Sequence, residues 1–141
     1  MESVRDYLSR KHKEIVEGYE QTRDYEKIRC EDVANEAAMR LLARGRVPDV
    51  ISFRLKPWPR LFRKPKPRKL YPKMFEGRIW WMHHYACRWN ELIYCPFMGE
   101  PSPSNEYTNE MFGKKITPLV IVGQEEIENH IQRCIRRVNA M

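Results

Sequence analysis

From Ser3 onward the chain sets Val4, Tyr7, Leu8, Ile15 and Tyr19 along one helical face, with Asp6 three residues after a serine suited to cap the first turn. The stripe fades around Gln21 and Thr22. It resumes through Ile28, Val33, Ala34, Ala37, Ala38, Leu41 and Leu42, and Gly45 and Pro48 then stop it. Residues 20–24 hold neither Gly nor Pro, so 4–43 reads equally as one bent helix or as two.

Val50 to Phe53 suits a short strand, after which prolines 57, 59, 65, 67 and 72 remove backbone donors and favour an extended path. Between Ile79 and Tyr94, Trp81, Tyr85, Trp89 and Ile93 recur every four residues, which predicts a central helix over 77–94 that Pro96 ends. Arg78, His83, His84, Arg88 and Glu91 interrupt that segment too often for it to cross a bilayer. Residues 96–115 read as a loop with one helical turn near Asn109. Ile116 to Val122 gives the one strong strand pattern, and Ile127, Ile131, Ile135 and Val138 ridge a last helix near 124–139. A lone strand cannot satisfy its own backbone, so 116–122 requires a second one, either 50–53 or one from a neighbour. The expected fold is mainly α within one domain. It comprises an N-terminal helical region (1–48), a Pro-rich extended arm (49–76), and a central helix, loop and strand-helix ending (77–141).

Charge changes this picture more than composition does. The chain of 141 residues has a formal net charge of +7, yet residues 1–48 and 79–141 are each nearly neutral. Residues 49–78 hold ten Lys or Arg against only Asp49 and Glu76. The arm of Arg54, Lys56, Trp58, Arg60, Phe62, Arg63, Lys64, Lys66, Arg68 and Lys69 is therefore the candidate binding segment, aimed at nucleic-acid phosphates or another acidic surface. Cations spread along a stiff path neutralise phosphates, and Trp58 and Phe62, which an extended segment cannot bury by itself, supply anchors that stack on bases or fill a partner's pocket.

No phosphate-binding Gly-rich loop, nucleophile elbow, zinc-protease motif or paired-carboxylate pattern occurs, so no catalytic residue and no cofactor are expected. His84 and Cys87, three apart on the expected helix, would adjoin as a dyad or as two metal ligands, but packing explains them as well. Zinc at His84, Cys87 and Cys95 would need a fourth ligand from Cys30, His130 or Cys134, at a spacing unlike common zinc sites, and no metal is expected. The four cysteines lack a disulfide-scaffold pattern and the N-terminus lacks a secretory apolar stretch, which points to an intracellular protein, mitochondrial or cytoplasmic. The function expected is that of a non-catalytic structural subunit of a large assembly, its arm docked on ribosomal RNA of a cytoplasmic or mitochondrial ribosome, with neighbouring protein subunits around it. The alternative is an accessory scaffold in a protein-only assembly, such as a respiratory-chain complex or a microtubule-bound ciliary structure.

Overall fold

Ser3 caps the first helix as its spacing anticipates, its Oγ accepting a hydrogen bond from the Asp6 N–H at 3.1 Å. The computed structural model describes residues 2–23, 29–56 and 68–140. Helix α1 spans Val4–Thr22 and buries Val4, Tyr7, Leu8, Ile15 and Tyr19. Arg23 ends it in a left-handed conformation (φ 58°), donating its N–H to the Tyr19 carbonyl at 2.8 Å. A second helix, α2, spans Cys30–Leu42, so the N-terminal region is a pair of helices. The small side chains of Ala34, Ala37 and Ala38 are buried and let α2 lie close across the sheet.

The expectation of a mainly α fold is overturned. The described residues form four α-helices and a five-stranded antiparallel sheet, an α/β mixture. The strands are β1 (Asp49–Phe53), β2 (His84–Trp89), β3 (Leu92–Tyr94), β4 (Ser102–Pro103) and β5 (Leu119–Val122), ordered β4-β3-β2-β1-β5. The central helix over 77–94 does not exist. In its place stands a hairpin in which Trp89 faces Leu92 across a two-residue turn, with Asn90 and Glu91 at φ 51° and 64°. Two successive positive φ values are the mark of the mirror-image turn whose twist matches a hairpin.

The four-residue aromatic spacing misleads because the sheet is covered on both faces. Tyr85, Cys87 and Trp89 join Val50, Tyr94 and Val122 against α1, α2 and the last helix, α4 (Ile127–Asn139). Ala86 and Ile93 lie on the opposite face with Ile51, Phe53, Phe75, Phe97, Tyr107 and Phe112. Tyr107 and Phe112 belong to α3, Ser104–Phe112, which takes up nearly half of the expected 96–115 loop and ends at Gly113 (φ 73°). Trp81 precedes β2 and stacks on His84, with ring centroids 4.8 Å apart, instead of sharing a stripe with Trp89.

Strand β1 is buried at all five positions and pairs on both sides, to β2 and to β5. Its register on β2 sets Asp49 opposite Arg88, and the guanidinium donates to both carboxylate oxygens, at 2.9 and 3.3 Å. Residues 50–52 pair with β5, so this chain itself supplies one of the two partners that the backbone argument left open.

The hairpin makes a test of sign. Glu91→Gly relieves a left-handed non-glycine residue and is expected to stabilise the protein by about 1 kcal/mol, whereas glycine inside a helix would destabilise by a similar amount. A lower urea midpoint for this variant would contradict the turn.

Candidate functional site

Both described ends of the basic arm arrive at one groove. Arg54, Leu55 and Lys56 follow β1 directly, and Arg68 marks the chain's return; together with Ser52, Lys115, Ile116, Thr117 and Leu119 they line a groove of about 480 Å³. Its lining contains four cations and no carboxylate. Arg54, Lys56 and Lys115 are exposed and Arg68 is partly so, which leaves a concave basic surface beside β5. Such an arrangement lowers the cost of bringing up an anion and favours a row of phosphates or carboxylates.

The sheet is what brings these cations together. Pairing of Ser52 with Leu119 sets the exit of β1 beside the residues that lead into β5, and Lys115 thereby joins a segment far from it in sequence. The return is pinned separately, because Leu70 and Trp81 exchange backbone hydrogen bonds at 2.7 and 2.8 Å. Lys69 turns away from the groove lining and holds its Nζ 4.2 Å from the ring centre of the exposed Trp80. Of the other residues expected to bind, Trp58, Arg60, Phe62, Arg63, Lys64 and Lys66 lie outside the described residues. Lys115 was missed by sequence reasoning, and only the β1–β5 pairing reveals it.

A second constellation lies largely inside the protein, with only Cys30 half-buried. His84 is fully buried, with Nε2 2.8 Å from the Tyr107 hydroxyl and Nδ1 3.1 Å from Cys30 Sγ, while Cys95 Sγ lies 3.5 Å from Nε2. Cys87 points to the other face of the sheet, so the His84–Cys87 dyad does not form. Burial lowers the His84 pKa to about 3, with His83 adding to the shift, and raises Cys30 to about 12 and Cys95 to about 11. A neutral imidazole between two protonated thiols offers no nucleophile at neutral pH; it joins the α2 start, β2 and α3 by hydrogen bonds. Among the described residues, no three His, Cys, Asp or Glu side chains are arranged to hold a metal ion. No described helix is long and apolar enough to cross a membrane.

A third polar contact lies where α2 meets α4. His130 Nε2 is 3.0 Å from Asn35 Oδ1, and the Asn35 amide donates to Cys134 Sγ at 3.4 Å. The same Nε2 lies 3.6 Å from Cys134. A nitrogen that donates to the amide oxygen cannot also take the thiol proton, so this group ties two helices together and does not build an acid–base relay. Comparison with protein families, with curated proteins and with solved structures finds no match for this chain.

The buried histidine yields a pH dependence whose sign is fixed. With its folded pKa depressed to about 3 from 6.5, the unfolded chain binds the extra proton between these values, so His84 costs stability as pH falls below 6.5. At pH 5 the loss is about 2 kcal/mol relative to pH 7. Urea unfolding of His84→Gln at the two pH values should show a drop smaller by roughly that amount. Equal drops for the two proteins would count against a neutral buried imidazole.

Proposed function

We propose that this protein is a non-catalytic structural subunit of a larger assembly, clamped onto RNA by the basic segment 54–69, in a particle such as the ribosome. The observation that carries the reading is the groove beside β5. Arg54, Lys56, Arg68 and Lys115 line it without a carboxylate, and the segment bearing most of the chain's excess charge starts and ends there. Phosphates entering along the arm would meet fixed cations at its root, where the sheet supplies rigidity that an extended segment lacks. The exposed Trp80 ring, with Lys69 against it, adds a flat surface on which an unpaired base can stack.

The burial of His84 and Cys95, with half-buried Cys30 bonded to the imidazole, supports a structural role over a catalytic one. The most reactive side-chain types on the sheet are spent on packing, away from the basic groove.

Binding of single-stranded RNA should weaken steeply with salt, by about 0.7 in log affinity per log salt for each phosphate neutralised. Arg54→Gln, Lys56→Gln and Arg68→Gln together should flatten that slope by about 2, measured by fluorescence anisotropy over a salt series. Trp80→Ala should weaken binding and leave the slope alone. If the isolated protein binds no RNA at low salt, while the triple variant still fails to enter its native particle, the partner is an acidic protein or lipid surface and the RNA reading falls.

A further inference from the structure

One surface hydroxyl stands apart from the rest. The chain has eight Ser or Thr residues, all of them described, and three are exposed: Ser9, Thr22 and Thr117. Ser9 and Thr22 lie within α1 and donate their hydroxyls to the carbonyls of Gly99 and Gly18, at 3.3 and 2.8 Å. Thr117 differs in both respects. It stands between the end of α3 at Phe112 and the start of β5 at Leu119, and its hydroxyl bonds to no described residue. Pro118 follows it and biases its backbone towards an extended form. The residue before it is anchored, because buried Ile116 donates its N–H to Thr108 Oγ1 at 3.2 Å.

The same threonine lines the basic groove. It shares about 480 Å³ with Arg54, Lys56, Arg68 and Lys115, and the lining holds no carboxylate. Arg54, Lys56 and Lys115 form no ion pair with a described residue. A phosphoryl group on threonine carries roughly −1.5 to −2 charges at neutral pH, and opposite a cluster of cations it gains about one to three charge-assisted hydrogen bonds. One modification at Thr117 would therefore fill the groove from within.

We propose that Thr117 is a phosphorylation site, and that a phosphoryl group there occupies the cation groove and displaces RNA phosphates from it. The displacement rests on the RNA reading above; the site itself does not. In the transfer, Thr117 Oγ1 bonds to the γ-phosphorus of a nucleoside triphosphate while the bond from that phosphorus to the β-phosphate oxygen breaks. The nucleoside diphosphate leaves with the electron pair, and the hydroxyl proton passes to the catalytic carboxylate of a protein kinase of the class that accepts Thr before Pro. The chain contains its own contrast. Ser102 also precedes a proline, yet it is 4% exposed, lies in β4 and donates to Glu110 at 3.4 Å. The dipeptide alone would select both residues, whereas exposure and surroundings select Thr117. Because Thr117 precedes β5, the pairing of Ser52 with Leu119 is made without it, and the modification acts on the groove and not on the sheet.

The test uses the full chain, freed of nucleic acid and incubated with a purified proline-directed kinase, magnesium and ATP. Mass spectrometry should find one phosphoryl group at Thr117 and none at Ser102, and Thr117→Ala should take none. Docking is read by phosphorus NMR. The second pKa of phosphothreonine, about 6 when free, should fall in the folded protein and return towards that value when Arg54→Gln and Lys56→Gln are combined. Single-stranded RNA should bind the phosphorylated protein about tenfold more weakly or worse near about 0.1 M salt, with the salt slope flatter by about 1 to 2. A folded protein that takes no phosphoryl group at Thr117 overturns the site, and so does a phosphothreonine that titrates as it does in the urea-unfolded chain. RNA binding of equal strength and slope before and after modification overturns the displacement. If the unmodified protein binds no RNA at low salt, the RNA reading fails and takes the displacement with it, while the phosphorus titration still decides the site.

Discussion

A buried backbone must find hydrogen-bond partners, and in this protein that demand falls most heavily on β1, whose five residues are all buried. It is met on one side by β2 and on the other by β5. The Asp49–Arg88 pair fixes the first register, because a slip of one residue would exchange the two apolar faces and strand a carboxylate near the core. Both helical layers depend on that register. Val50 and Cys87 meet α2 on one face, and Ile51 and Ala86 meet the aromatic cluster around Phe75 and Tyr107 on the other.

From the same strand follows the surface chemistry. The basic segment leaves from the end of β1, and β5 brings Lys115 alongside, so a single pairing builds both the core and the groove. The interior polar cluster serves the opposite purpose. His84, Cys30, Cys95 and Tyr107 satisfy one another where apolar packing alone would allow several arrangements, and so select one seating of α3 and of the α2 start on the sheet. Trp81 closes this cluster by stacking on His84, and Phe97 and Phe112 stand edge-on around it.

Elements covered on one face were legible in the residues. The stripe of Val4, Tyr7, Leu8, Ile15 and Tyr19 is buried along α1, and the Ile127 and Ile131 ridge of α4 meets the core. The segment 77–94 was not legible, because a strand buried on both faces loses its alternation. Trp81, Tyr85 and Trp89 then imitate a helical repeat, and the turn at Asn90 and Glu91 carries no glycine to announce itself. The helix at Ser104–Phe112 was hidden by a Ser, Pro and Asn composition typical of loops. In the groove, charge density singled out Arg54, Lys56 and Arg68. Lys115 carried no such signal, since its place depends on strand pairing across the middle of the sequence.

The groove's position has a consequence for how such a protein can change over time. Leu55 and Arg68 line the same groove, so the intervening segment leaves and rejoins the fold at nearly one place. A loop whose ends are already held together can lengthen at little entropic cost, about 0.6 kcal/mol for each doubling. Leu70 is locked to Trp81 and β1 to its neighbours, so both anchors of that segment are held by backbone hydrogen bonds of their own. On the reading proposed above, the length of the basic segment can therefore change while its two anchors keep their places at the sheet.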